Sequence, residues 1–209
     1  MPTLKTVALA GAGAFVALVA LEHPLRPSLP ATQHFISEYG NGSTRLVASA
    51  AFLAWGVGLG ALALSAARER MPVVAAGAAV AIAGTVMDAI WRTQTVAGEL
   101  PAGVVRTTEG RLHDLGTLLI LSGLVVSAVA SLWRLRSARW RWTIAGLLVA
   151  FLAVPGVLVA AGLDWPGIGQ RGIILVGVAY GVCAAAELAR PGAVALTRRA
   201  RRTPAPARA

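Results

Sequence analysis

The sequence predicts an all-α protein: a polytopic membrane bundle of six transmembrane helices with both termini cytoplasmic. Three observations predict it. Of the 209 residues, 56% are hydrophobic and only 13% charged, about half the charged share of an ordinary soluble domain, and the mean hydropathy is +0.69. The apolar residues gather into six runs long enough to cross a hydrocarbon core of ~30 Å, which takes roughly 20 helical residues. The Lys and Arg residues also alternate in density from loop to loop. With both termini inside, 13 of the 19 fall on the cytoplasmic side, the bias that orients membrane helices. The expected location is the inner or plasma membrane, with membrane lipids as partners. A net charge of +10 would suggest nucleic acid for a soluble chain. Here the basic residues sit in short loops and the tail, so no nucleic-acid partner is expected.

One domain is expected over residues 1–190. The first span, about 6–21, follows Lys5 and reads as a retained helix rather than a cleaved signal, because the region before Glu22 lacks a small-x-small cleavage site. Pro24, Pro27 and Pro30 argue against regular helix in the loop that follows. A short helix or re-entrant turn fits 32–39, ended by Gly40-Asn41-Gly42. The second span, about 46–67, holds Gly56 and Gly60 at GxxxG spacing, which would let a neighbouring helix approach closely. Pro72 suits the first turn of the third, about 73–91. The fourth, about 112–133, opens on His113 and Asp114. It leads into Arg134-Leu135-Arg136-Ser137-Ala138-Arg139-Trp140-Arg141-Trp142, a stretch suited to anchoring helices among lipid headgroups. The fifth, about 143–161, contains Pro155-Gly156, a kink signal. The sixth covers about 172–189. Residues 191–209 form a basic tail whose Arg, Ala and Pro content predicts disorder.

Chemistry-bearing residues concentrate at one face. Glu22, Glu38, Asp88, Glu99, Glu109, Asp114 and Asp164 all fall on the outer side, with His23, His34 and His113. Only Glu69 and Glu187 are inner acids. Asp88 lies about a turn inside the end of an apolar helix. A carboxylate is disfavoured by roughly 2.5–3.5 kcal/mol at mid-bilayer, and by less near the interface. It should face the bundle and have a partner, and Arg92 at i+4 is the nearest candidate. His34 and Glu38 are four apart, as are Glu109 and His113. That spacing puts imidazole and carboxylate on one helix face, where they share a metal or hydrogen-bond. Ser37 beside them has the residue type of a nucleophile, although a turn or capping role is the simpler one. Gln170-Arg171 precedes the sixth span, where Arg171 would hold a carboxylate such as Asp88 or Glu38, or an anionic headgroup. Asn41-Gly42-Ser43 is formally a glycosylation sequon. The Ala/Arg/Pro-rich composition reads as bacterial, so it is not expected to be used. Cys183 is a lone thiol within an apolar run.

Four of these motifs occur in a characteristic order: His34-Phe35-Ile36-Ser37-Glu38-Tyr39 after the first span, Asp88 ending the third, Thr108-Glu109-Gly110-Arg111-Leu112-His113 opening the fourth and Gly167-Ile168-Gly169-Gln170-Arg171 opening the sixth. The chain thereby resembles the bacterial and archaeal integral membrane family known as domain of unknown function 998. It departs at Thr85-Val86-Met87-Asp88, where members often carry a proline before the acid. The resemblance implies six transmembrane helices and no particular activity. The layout is also distantly similar to metal-dependent ceramidase-like hydrolases with Ser, Asp and three His. Only His34 and His113 fit that pattern, since His23 is read as a loop residue.

The expected site is a polar pocket at the outer face, lined by His34, Ser37, Glu38, Asp88, Arg92, Glu109, His113, Gln170 and Arg171. In particular, His34, Glu38, Asp88, His113 and Arg171 are expected to converge on one cavity. The leading function is binding of a small polar ligand or lipid headgroup. The alternative is a membrane-embedded hydrolase acting on lipid, with Asp88, His34 and His113 as catalytic candidates. The same three are the candidate ligands of a divalent metal; no other cofactor is expected. A proton-coupled transporter ranks third, since no span carries a mid-membrane charge and no inverted repeat is visible.

Overall fold

The computed structural model describes residues 3–135 and 137–188, and the tail expected to be disordered lies outside them. Among these residues there are six long α-helices: α1 Leu4–Leu25, α2 Arg45–Arg68, α3 Pro72–Ile90, α4 Thr108–Arg134, α5 Ala138–Ala160 and α6 Pro166–Leu188. All six are long and apolar enough to cross a membrane. With 19–27 residues each, they measure roughly 28–40 Å at 1.5 Å per residue. A short 3₁₀ helix, Ile36–Gly40, lies between α1 and α2.

Helices α1 to α4 pack in sequence order, each on the next. Helix α6 returns across them to touch α1, α2 and α4, while α5 lies outside against α6 and, more weakly, α4. The core centres on Phe15, Trp55, Leu59 and Leu62, with Phe15 and Trp55 ring centroids 5.0 Å apart. By contrast, Ile144 is the one buried residue of α5. Toward the end opposite the long polar loops, Trp133 and Trp142 are exposed, at 83% and 78%, as side chains of a headgroup belt would be. There Tyr180 of α6 hydrogen-bonds Ser127 (2.7 Å) and Ser131 (3.0 Å) of α4, and Ser127 donates to the Val74 carbonyl of α3.

Several helix ends differ from expectation, and three of the differences bear on the site. Helix α1 continues through Glu22, His23 and Pro24 to Leu25. A proline in the last turn removes one hydrogen bond without ending the helix at once, so Glu22 and His23 are helical rather than loop residues. Helix α4 begins four residues before the apolar run, because the Thr107 side chain caps it by accepting from the Gly110 N–H at 3.2 Å. Helix α6 begins at Pro166, a favourable first-turn residue, so Gln170 and Arg171 lie within the helix rather than before it. Helix α5 runs on through Pro155.

The Gly56–Gly60 spacing marks a close approach at one of its two glycines: a Cβ at Gly56 would come within 2.7 Å of Thr85 Oγ1 on α3. A Cβ at Gly60 would meet nothing within 4 Å. The other tight contacts are Gly11 of α1 against Gly58 of α2, and Gly77 and Gly84 of α3 against Gly123 and Gly116 of α4. At Gly11, Gly77, Gly84 and Gly123 a Cβ would come within 3.0 Å of the partner helix's backbone. The α3–α4 glycines repeat every seven residues on both helices, a seam on one face of each.

Candidate functional site

The alternation of helices puts the α1, α3 and α5 C-termini at the same end as the α2, α4 and α6 N-termini. Every residue expected in the site is at that end, where loops 26–44, 91–107 and 161–165 meet.

The 26–44 loop is fastened on two sides. Toward α6, the Gln170 Oε1 accepts the Ile36 N–H at 2.7 Å. The Arg171 Nη1 donates to the carbonyls of Ala31, His34 and Gly167 at 2.8, 2.6 and 3.0 Å. Arg171 therefore gathers backbone oxygens, and it forms no ion pair with Asp88 or Glu38. Its guanidinium lies 5.6 Å from the Tyr39 ring centroid. Burial pushes the Tyr39 phenol above its ordinary value, against the opposing pull of Arg171, and the hydroxyl donates to the Leu29 carbonyl at 2.5 Å. Glu22, almost fully buried, faces the same guanidinium, and neither of its oxygens has a hydrogen-bond partner among the described residues.

Toward the 91–107 loop the fastener is Glu38. His34 Nδ1 is 2.6 Å from its Oε2, confirming the i, i+4 contact. Three more donors come from far along the chain: Thr95 Oγ1 (3.2 Å), Ala97 N–H (3.0 Å) and Gly98 N–H (2.8 Å). Ala97 and Gly98 are the centre of a two-residue turn closed by reciprocal Val96–Glu99 backbone bonds. Their φ angles are +54° and +82°, as a type I′ turn requires. That geometry aims two successive N–H groups at one point, where Glu38 accepts both.

Asp88 is different. Thr117 Oγ1 donates to its Oδ2 at 2.9 Å, while Oδ1 is buried without a hydrogen-bond partner. His113 Nδ1 is the nearest cationic or imidazole nitrogen, 3.5 Å from Oδ1. That ring nitrogen is 3.1 Å from the Trp91 carbonyl, which only accepts, so Nδ1 carries the proton and donates there. The expected Asp88–Arg92 pair does not form. Helix α3 ends at Ile90 and Trp91 turns to extended backbone, φ −97° and ψ 147°, which breaks the i, i+4 register. Glu109 and His113 do share a face. Both clasp this exit, His113 at the Trp91 carbonyl and Glu109 Oε1 at the Arg92 N–H, 3.2 Å away.

The expected single cavity is therefore divided. Beneath the 3₁₀ helix, Ser37, Asp88 and Arg92 line a recess together with Arg45, Ser49 and Trp91. Its interior offers ≈ 20 Å³ to the centre of a water-sized group. His34, Glu38, Gln170 and Arg171 are bound into the loop framework instead, and Glu109 and His113 into the α3 exit. Among the described residues no three His, Cys, Asp or Glu side chains come together in a metal-holding group; Asp88 pairs with His113, and His34 with Glu38. Arg45, Ser49 and Thr117 went unnoticed in the sequence. Ser49 and Thr117 are ordinary small polar residues on apolar helices. Arg45 counted only toward topology.

No curated protein and no solved structure matches the chain. A family model does match, over residues 9–187, from within α1 almost to the end of α6, and the chain belongs to the family described as Protein of unknown function (DUF998).

Proposed function

We propose that the protein binds a membrane lipid by its headgroup, in the recess between the α2 N-terminus and the α3 C-terminus, on the face turned away from the cytoplasm of the cell membrane. The observation that carries this is the recess itself, which the exposed Arg45 and Arg92 line together with Ser37, Ser49 and Asp88. Two arginines at one recess suit the phosphate of a phospholipid headgroup, because a guanidinium presents a fork of donors to its oxygens. The surroundings favour a lipid over a freely soluble ligand. Arg45 at the rim is followed by Leu46, 82% exposed, and Ile90 in the lining is half exposed. Such side chains suit contact with acyl chains, which supports a position for the recess at the boundary between hydrocarbon and headgroups. The orientation rests on the excess of Lys and Arg at the opposite end.

The test is native mass spectrometry of the protein released from membrane nanodiscs, beside the double variant Arg45→Gln/Arg92→Gln. Both positions are exposed, and the substitutions remove the two positive charges. The wild type should carry phospholipid through release and the variant should lose it while staying monodisperse. Equal retention by the two would sink the proposal.

A second reading has one observation in its favour, the Asp88–His113 pair at 3.5 Å. With Nδ1 donating to Trp91, a neutral His113 keeps Nε2 as a base, and a hydrolase acting on the bound lipid would use it to activate water. Turnover of reconstituted lipid that stops in His113→Ala would establish this reading; lipid unchanged after prolonged incubation would remove it.

A further inference from the structure

We propose that a buried water molecule bridges Glu22 of α1 and Arg171 of α6, beneath the 26–44 loop. The site is separate from the recess and does not depend on lipid binding.

Four polar atoms lack partners here. Both carboxylate oxygens of Glu22, and Nε and Nη2 of Arg171, are buried without a hydrogen bond among the described residues. Glu22 is 1% exposed, so bulk solvent does not satisfy it. The two side chains are near enough to act on each other electrostatically. Yet no Arg171 nitrogen comes within 4.0 Å of a Glu22 oxygen.

The framework keeps them apart. A carboxylate and a guanidinium that are free to move close into a direct, often bidentate pair. Here Arg171 Nη1 is held by the carbonyls of Ala31, His34 and Gly167, and Glu22 is fixed on helical backbone that runs on to Leu25. The guanidinium cannot shift toward α1 without releasing the loop. Neighbouring side chains do not fill the need either. Tyr39 lies beside the guanidinium, but its hydroxyl donates to the Leu29 carbonyl and so accepts from His23 Nδ1, 3.1 Å away. Glu38, the other acid acting on Arg171, is occupied by its four donors.

Charge and hydrogen-bonding capacity identify the occupant. A cation would be repelled by Arg171 and an anion by Glu22. An apolar group would leave all four atoms unsatisfied, which is costly for buried charges. A neutral molecule that donates to the carboxylate and accepts from the guanidinium satisfies both sides. Water does this from a single oxygen, and buried waters characteristically serve such orphaned groups with about three hydrogen bonds. Glu22 is then the counter-charge of Arg171, and the water ties α1 to the clamp that α6 places on the 26–44 loop.

A crystal structure of the full chain grown from a lipidic phase, at a resolution that shows ordered solvent, tests the bridge directly. A water should lie about 2.7–3.2 Å from a Glu22 oxygen and from Arg171 Nε or Nη2. Direct contact between carboxylate and guanidinium, or a dry gap, would overturn the proposal. Infrared difference spectroscopy of the protein in vesicles gives an independent reading. Exchange into water carrying the heavy oxygen isotope should shift an internal-water stretching band in the wild type. Glu22→Gln, close in shape and still able to hold a water, should move that band. Glu22→Met, similar in size and without a strong acceptor, should abolish it. A band identical in the wild type and the variants, or no isotope-sensitive band in the wild type, would overturn the bridge. Where Glu22→Met fails to give monodisperse protein, the comparison with Glu22→Gln decides.

Discussion

Glu38 and Asp88 are carboxylates at the same end of the same bundle, and both are almost inaccessible to solvent. Glu38 accepts from four donors, one on its own turn and three from the 95–98 segment. Asp88 accepts one good hydrogen bond, from Thr117, and keeps an oxygen unsatisfied. The difference separates a carboxylate that ties two loops together from one that is left with an unsatisfied oxygen against α4. Residue type and position along the chain do not distinguish them; the number of donors that the tertiary structure delivers does.

The comparison breaks most easily at Glu38. Glu38→Ala leaves the Ala97 and Gly98 N–H groups and His34 without their acceptor. It should lower stability by about 3 kcal/mol or more, the scale for removing one member of a buried charged network. Asp88→Asn should stay within about 1 kcal/mol of wild type, because only one ordinary hydrogen bond is altered. Denaturation of the detergent-solubilised protein measures both. A larger loss from Asp88→Asn than from Glu38→Ala would reverse the two roles.

Gly116→Ala probes the Asp88 side next. A Cβ there would run into Asp88 Oδ1, Met87 Cβ and the Gly84 carbonyl. A loss of about 1–3 kcal/mol is expected from overpacking this seam, together with weaker lipid retention. Unchanged lipid retention would show that Asp88 need not hold its present place. The smallest effect is at Ala97, whose φ of +54° is strained for a residue with a Cβ. Ala97→Gly relieves that strain and should raise the melting temperature, by roughly 0.5–1 kcal/mol of stability. A drop would mean that the Glu38 donors do not depend on this turn.

Much of this was legible in the residues. Six apolar runs correspond to the six helices, and the His34–Glu38 spacing corresponds to a contact. Other inferences failed for identifiable reasons. Spacing placed Arg92 on the face of Asp88, but the helix ends between them. The GxxxG spacing is realised at Gly56, against Thr85, and not at Gly60, while the tighter seam is formed by Gly77, Gly84, Gly116 and Gly123. Their partners lie on another helix, and nothing local marks them as the tighter seam. Arg171 suggested a carboxylate partner, yet α6 starts early enough to aim it at the carbonyls of the 26–44 loop.

By itself the sequence determined how many helices there are and at which end the acids and histidines gather. Both follow from local quantities: the length of an apolar run relative to the bilayer, and the polarity of the segments between runs. Only the tertiary structure decided which carboxylate is satisfied and which is not. Glu38 meets N–H groups 59 and 60 residues away, and Asp88 meets a hydroxyl 29 residues away. Hydrogen bonds act over about 3 Å, so the balance of donors at a buried oxygen is set by which loops and helices fold against it.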